Sequence, residues 1–276
     1  MLFVNNTPKT VVAVLLVIAV SMPSAAISAE RKDGDWRQIQ NKAVEQYGSG
    51  KFNQAVKTLR KALAAAEKRF GPDHENTAAS LYLLAEIYTR QERYALAEPQ
   101  ARRALAIVER NADKTDISGV LSCLAEDYRG LGDYQQAEQL AKRALAITKK
   151  RYGPWSPNAA TSMNNLAFIF QSQAQYAQAE PLYKQAVAIW KKHKYYPGMT
   201  SGLANLAELY YLQRKYAQAE VFYTRARAVG EEAFGPIHPN VAAIIENQSR
   251  LYRTIKQTAK AEKLEQRAAD IRSIKR

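Results

Sequence analysis

Apolar and polar positions follow a helical period along most of this chain. Leu84, Ile87 and Tyr88, for example, lie three and four positions apart or adjacent on one stripe, the spacing of a single helix face. No window sustains the period-two alternation of a strand, so the pattern predicts an all-α protein. The pattern also repeats. Phe52-Asn-Gln-Ala55, Tyr94-Ala-Leu-Ala97-Glu, Tyr134-Gln-Gln-Ala137-Glu, Tyr176-Ala-Gln-Ala179-Glu and Tyr216-Ala-Gln-Ala219-Glu recur, with Thr258-Ala-Lys-Ala261-Glu as a degenerate sixth copy. Their starts are 42, 40, 42, 40 and 42 residues apart. About ten residues after each start comes a second signature, as in Arg103-Ala-Leu-Ala-Ile107 and Arg143-Ala-Leu-Ala-Ile147. Nine residues before five of the starts sits an alanine: Ala43, Ala85, Ala125, Ala167 or Ala207.

Each copy therefore predicts a helical hairpin. A first helix carries the small residue, a short turn follows, and a second helix opens on the aromatic, which is expected to plug the gap above the alanines. Asp133 before Tyr134, with Gln136 three residues on, reads as a capping start. Ser156-Pro157 and His238-Pro239 place proline in the first turn of a helix, where its missing N–H costs least. Pro99 and Pro181 fall inside second helices and should bend them. The predicted hairpins span residues 36–69, 77–110, 116–151, 158–193, 199–233 and 240–273, the last polar enough to serve as a cap.

These residues resemble tetratricopeptide repeats of the longer, kinesin-light-chain type. Phe70-Gly-Pro-Asp-His74 followed by Ala85, Tyr88, Tyr94 and Ala97-Glu-Pro99 is similar to that repeat, as is Tyr152-Gly-Pro154 followed by Asn164-Asn-Leu-Ala167, Tyr176 and Ala179-Glu-Pro-Leu-Tyr183. Phe234-Gly-Pro-Ile-His-Pro239 repeats the linker. Two linkers, around Asn111–Asp116 and Lys194–Gly198, lack Gly-Pro and depart from the pattern. The resemblance covers about residues 36–273. It implies a right-handed α-solenoid of about six hairpins, first helices lining a concave wall and second helices a convex one.

Function is then expected on the concave wall. Eleven residues before each second helix stand Asn41, Leu83, Cys123, Asn165, Asn205 and Asn247. The resemblance implies that asparagines here bond the backbone of an extended ligand, since an amide offers donors and an acceptor; the alternative is that they bond helix to helix. Asn164, Tyr82, Phe168 and Tyr211 share the expected wall, the three aromatics as exposed rings. It also holds Glu86, Arg90, Glu126, Arg129, Gln171, Glu208, Glu246, Arg250 and Arg253. Arg250 and Arg253 beside Asn247 are the local candidates for clamping a terminal carboxylate. The expected partner is a protein or peptide.

Residues 1–29 read as a secretory signal peptide: Lys9, the apolar run Val11–Val20, then small residues broken by Pro23, with cleavage between Ala26 and Ala29. A ten-residue apolar run is half the ~20 that a bilayer span needs, though an uncleaved anchor is the alternative. The expected location is periplasmic or secreted, with no span left after cleavage. The 276 residues include 40 Lys and Arg against 26 Asp and Glu, a net +14. In an exported protein this charge points to anionic envelope polymer or a membrane surface before nucleic acid. Arg102, Arg103, Lys142, Arg143, Lys191 and Lys192 on second helices form the candidate basic convex face. The rival reading of those cations is a solvated face near helix C-termini. The mean hydropathy of −0.41 excludes a polytopic membrane protein. Cys123 is the single cysteine and the three histidines are far apart, so no metal or other cofactor is expected. Glu86, Glu126 and Glu208 recur with the repeat rather than converge, and no GxSxG, HExxH or P-loop occurs. No catalytic residue, and no enzyme, is expected.

Overall fold

A computed structural model describes residues 34–110 and 116–274; the signal-peptide reading of residues 1–29 lies outside them. The described residues form twelve α-helices and no strand. They are α1 (Gly34–Gly48), α2 (Phe52–Phe70), α3 (Glu75–Arg90), α4 (Tyr94–Glu109), α5 (Ser118–Leu131), α6 (Tyr134–Tyr152), α7 (Pro157–Ser172), α8 (Tyr176–Lys192), α9 (Tyr196–Leu212), α10 (Tyr216–Phe234), α11 (Pro239–Thr254) and α12 (Thr258–Ser273). The chain folds into two compact units that meet within α6, one ending at Ile147 and the other beginning at Thr148. Each is a stack of consecutive antiparallel hairpins, the arrangement of tetratricopeptide repeats. In each, first helices touch one another, α3 against α5, α7 against α9 and α9 against α11, while α2 and α4, or α8, α10 and α12, stay further apart. The first helices thus form the inner wall of each unit.

The hairpins close on small side chains. The position nine before each second helix holds Ala43, Ala85, Ala125, Ala167, Ala207 and Ser249. The fourth residue of each second helix is Ala55, Ala97, Ala137, Ala179, Ala219 or Ala261, and the eleventh is Ala62, Ala104, Ala144, Ala186, Ala226 or Ala268. All eighteen are buried, most of them completely. The opening aromatics do not plug this contact: Phe52 is 41% and Tyr134 36% exposed, and the others are half-buried. With methyl groups at the crossing there is no gap to fill. The rings lie over the turn instead, Phe52 edge-on to Tyr47 at 5.6 Å and Tyr216 against Tyr211 at 5.9 Å.

Between first and second helix the chain turns through one left-handed residue at the same place in every hairpin. It is Gly50 and Gly132 in two, but Glu92, Ala174, Arg214 and Lys256, with φ between 57° and 61°, in the others. Asp133 Oδ1 accepts from the Gln136 amide at 3.1 Å, and Ser156 Oγ from the Ala159 amide at 3.1 Å. His74 and His238 cap α3 and α11 in the same way: each Nδ1 accepts the amide two residues on at 3.1 Å, and each ring stacks on Phe70 or Phe234. Two of the three histidines are therefore capping residues. Helices α4 and α8 run on through Pro99 and Pro181.

Neighbouring hairpins are keyed by repeated polar rungs. Tyr128, Tyr210 and Tyr252 donate to Glu98, Glu180 and Glu220 of the preceding second helix at 3.2, 2.8 and 2.8 Å. Those glutamates are the final residue of the Tyr-x-x-Ala-Glu signature. A second rung joins Arg103 to Glu67 at 2.6 Å, Arg143 to Glu109 at 2.5 Å and Arg267 to Glu231 at 2.7 Å. Such part-exposed pairs contribute about 0–1 kcal/mol each, so they set register more than stability.

One core position breaks the pattern. Seven residues before the second helix, four hairpins carry Ile87, Ile169, Leu209 and Leu251, whereas the third carries Asp127, which is fully buried. Its Oδ2 has no hydrogen-bond partner among the described residues. Its Oδ1 lies 2.6 Å from Thr89 Oγ1, which is also 2.9 Å from the Ala85 carbonyl and 3.6 Å from Cys123 Sγ. A hydroxyl has one proton. Thr89 Oγ1 therefore donates to one of two acceptors, Asp127 Oδ1 or the Ala85 carbonyl, and the Asp127 carboxyl is left with at most this one hydrogen bond. Burial pushes the Asp127 pKa up to about 7, with the Thr89 hydrogen bond opposing and Glu126 and Glu98 adding to the rise.

Two outcomes follow from these local features. Asp127 ionises near pH 4 unfolded and near 7 folded, so its contribution is full below the first value and lost as pH rises to the second. Urea denaturation should show wild type losing on the order of 3 kcal/mol between pH 5 and pH 8. Asp127→Leu should flatten that slope and be more stable at pH 8; equal slopes would place the pH dependence elsewhere. Ala174, at φ 58°, carries a left-handed strain of about 1–2 kcal/mol that glycine lacks. Ala174→Gly should therefore raise the urea midpoint by the equivalent of roughly 0.5–1 kcal/mol, whereas the same change at a solvent-facing helical alanine such as Ala177 should lower it.

Candidate peptide-binding groove

In the unit from Thr148 onward, the inner wall is α7, α9 and α11. Asn164, Asn165 and Phe168 come from α7, Asn205, Glu208 and Tyr211 from α9, and Glu246, Asn247 and Arg250 from α11. Asn205 Nδ2 donates to Asn164 Oδ1 at 2.9 Å, across adjacent first helices. Asparagine here does bond helix to helix, yet this uses one donor and one acceptor of the two amides and leaves Asn164 Nδ2 and Asn205 Oδ1 for another group. The half-buried Asn165 side chain has no hydrogen-bond partner among the described residues. Asn247, by contrast, is buried at 6% exposure and offers a ligand little.

Further along the same wall the polar groups are tied to one another. The Arg250 guanidinium pairs with Glu208 and lies over the Tyr211 ring, 4.7 Å from its centroid. Glu208 also accepts from the buried Tyr223 hydroxyl at 2.5 Å. Burial, then Glu208, pushes the Tyr223 hydroxyl pKa well above its ordinary value. Burial alone would lower the Arg250 pKa, but Glu208 and Tyr223 outweigh it and hold the guanidinium charged. Tyr211 Oη and Thr254 Oγ1 lie 3.0 Å apart. Arg253 turns away to Glu265 on α12, with contacts of 3.0 and 2.7 Å, and Arg272 of α12 closes on Glu246 at 2.7 Å. The expectation that Arg250 and Arg253 jointly clamp a terminal carboxylate is corrected: each already has an internal carboxylate, and the two guanidinium groups diverge.

The unit ending at Ile147 shows the same self-neutralised chemistry on a different scaffold. Arg90 pairs with Glu86 at 3.1 Å and stands 5.9 Å from the Tyr47 ring centroid. Arg129 grips Glu126 at 2.7 and 2.8 Å and reaches the Tyr94 hydroxyl at 3.4 Å. Burial pushes Tyr47 up to about 12, with Arg90 opposing. Tyr82 is half-buried and its phenol, 3.5 Å from where a Cβ on Gly119 would lie, is pushed well above its usual pKa by burial and Glu86. Asn41 is exposed on α1, and Leu83 and Cys123 fill the next two asparagine positions. Burial, then Asp127, raises the Cys123 thiol far from any thiolate role. The three wall aromatics are half-buried rather than exposed.

The candidate basic face is largely neutralised as well. Arg102 pairs with Glu98, Arg103 with Glu67, Lys142 with Glu138 and Arg143 with Glu109. Lys191 and Lys192 have no ion-pair partner among the described residues. Sequence reading found most wall positions, since they recur at fixed distances from the second-helix start. It missed Tyr47, Tyr94 and Thr254, which sit four or five residues before that start or at the start itself. A register count extended by one helical turn would have reached them.

Comparison with known proteins agrees with this architecture. The tetratricopeptide repeat family model matches residues 39–110, 116–192 and 199–273. No curated protein sequence matches the chain. Among solved structures it is similar to BtubC (BKLC) from P. vanneervenii, with 24% identity and a TM-score of 0.60 over 82% of this chain and 89% of that one. It is similar also to a Rap protein complexed with Competence and Sporulation Factor, with 14% identity and a TM-score of 0.64 over 86% and 74%. A putative kinesin light chain with TPR-like repeats from Podosopora anserina covers 86% of this chain and 94% of its own, at 20% identity and a TM-score of 0.47. The repeats, the buried alanine contacts and the matched residues together make this chain a member of the tetratricopeptide repeat family.

Proposed function

We propose that this protein is an exported, non-catalytic scaffold that holds an extended segment or helix of a partner protein along α7, α9 and α11, supporting assembly of an envelope or secreted complex. The observation that carries the reading is the Asn164–Asn205 pair with Asn165 beside it. Together they present amide donors and acceptors on a wall whose charges are otherwise satisfied. Such a wall reads backbone and shape rather than ligand charge, since a charged ligand would have to displace Glu208 from Arg250 or Glu246 from Arg272. The fold resemblance to a Rap protein captured with a bound factor supports this use of the architecture. Residues 1–29 support the extracytoplasmic setting.

The test begins with crosslinking in the native envelope to identify the protein held by wild type. Its bound segment is then titrated as a peptide by calorimetry. Each lost amide hydrogen bond is worth about 1 kcal/mol, so Asn165→Ala/Asn205→Ala should weaken binding roughly 10- to 100-fold. Thermal melting should stay within a few degrees of wild type. Unchanged affinity in a folded double variant would remove the groove reading.

A further inference from the structure

The positive charge of this chain is not evenly spread. Residues 148–276 hold 20 Lys and Arg against 9 Asp and Glu, while residues 1–147 hold 20 against 17. The excess lies almost entirely in the second half, and the repeat register shows where the fold leaves it uncompensated. In three hairpins the tenth residue of the second helix is an arginine paired with a glutamate at the sixteenth residue of the preceding second helix: Arg103–Glu67, Arg143–Glu109 and Arg267–Glu231. At the two remaining rungs the glutamate is replaced by lysine. Lys149 stands opposite Gln185 in the register, and Lys191 opposite Arg225. A rung that elsewhere carries an ion pair carries cations and no acid here. Lys149, Lys150, Lys191, Lys192, Lys194 and Arg225 form no ion pair among the described residues.

These lysines cluster where second helices end and the next first helices begin, along one edge of the unit. That edge is also apolar. Trp155, in the linker between α6 and α7, is 59% exposed, and Ile237, in the linker between α10 and α11, is 51% exposed. His193, in the linker after α8, sits 2.9 Å from the Trp155 carbonyl through Nε2, so the Trp155 linker and the lysines ending α8 are held together. Glu232 of α10 is an acidic residue with no ion-pair partner among the described residues, against five such lysines. An indole standing in solvent among uncompensated lysines has two needs, an apolar phase with a polar boundary and a field of negative charge.

We propose that this linker edge, centred on Trp155, Lys191 and Lys192, docks the protein on the surface of a bilayer rich in anionic phospholipid. A lipid interface supplies both needs at once: Trp enters the headgroup region and each lysine near the surface is drawn to the anionic leaflet. A soluble polyanion would satisfy the lysines but offers no apolar phase to Ile237. The edge is separate from the α7–α9–α11 wall, so a docked protein keeps its groove available.

The protein carries its own reporter. Trp36 and Trp190 are buried at 4% and 2% exposure, so Trp155 is the tryptophan whose emission responds to a change of medium. Full-length protein is titrated with vesicles of pure phosphatidylcholine and with vesicles containing one-third phosphatidylglycerol, in about 0.1 M salt. The expected result is a blue shift that requires phosphatidylglycerol and is lost in high salt. Lys191→Glu/Lys192→Glu should weaken partitioning at least 10-fold. Trp155→Ser should abolish the shift and weaken partitioning several-fold, with unchanged far-ultraviolet circular dichroism. Arg102→Glu/Arg103→Glu, at cations already ion-paired, should change partitioning by less than 3-fold. Equal losses at both pairs would overturn the proposal in favour of diffuse charge. So would absence of the shift with anionic vesicles, or Trp155 quenching by polyphosphate or single-stranded DNA without any vesicle binding.

Discussion

Everything in this fold depends on backbone contact at the helix crossings. Seventeen alanines and Ser249 occupy three positions in each of six hairpins, all buried. Interiors this dense respond to a single added methylene, because the crossing can yield only by separating two whole helices. One of the altered linkers shows how far the constraint extends. Around Lys194–Gly198 the linker is short and lacks Gly-Pro, and there α9 rides directly over Trp190. A Cβ on Gly198 would lie 2.6 Å from that ring, and one on Gly202 would lie 2.6 Å from Val187 and 2.9 Å from Trp190. The small-residue requirement here extends beyond the alanine crossing into the opening turns of α9, where Gly198 and Gly202 face Trp190.

Close helices leave little room for polar side chains between repeats, which explains why those that occur are paired. The Tyr–Glu rungs lie on one side of the crossings and the Arg–Glu–Tyr clusters of the inner wall on the other. In both, a residue of one repeat is satisfied by a residue of its neighbour. Stability in such a stack is a sum over neighbouring interfaces, so each rung also fixes the register on which the next depends. Asp127 is the exception, a carboxyl in an Ile or Leu position that meets only the Thr89 hydroxyl and leaves its second oxygen without a partner among the described residues. Its cost falls on the interface between the second and third hairpins alone.

The helical pattern and the alanine spacing carried the fold because repeats amplify a weak signal: one Tyr-x-x-Ala-Glu is unremarkable, whereas five in register specify a hairpin array. Capping by Asp133 and Ser156 was legible for a similar reason, since local geometry needs only local sequence. Contacts between repeats were less legible. The sequence showed Arg250, Arg253, Glu208 and Glu265 as separate charges some distance apart. Only the folded stack shows that Arg250 turns back to α9 and Arg253 forward to α12. The same holds for exposure. Tyr82, Phe168 and Tyr211 have the spacing of an open face, but each ring is half-buried in the fold. The histidines, too few to suggest metal chemistry, resolve into two caps and one linker tie only in three dimensions.

Charge and groove thus separate into different parts of the molecule for a physical reason. A surface that recognises backbone amides works best when its own charges are neutral, since stray cations would favour any acidic segment over the right one. The inner wall meets this condition by pairing Arg250 with Glu208 and Arg272 with Glu246. The rungs between second helices meet it as well, through Arg103, Arg143 and Arg267. Where lysine replaces glutamate, at Lys149 and Lys191, neutrality is given up at two adjacent rungs and beside the one exposed tryptophan. Loss confined to neighbouring repeats, at one edge and next to an unburied indole, has the form of a second surface built on the same repeat.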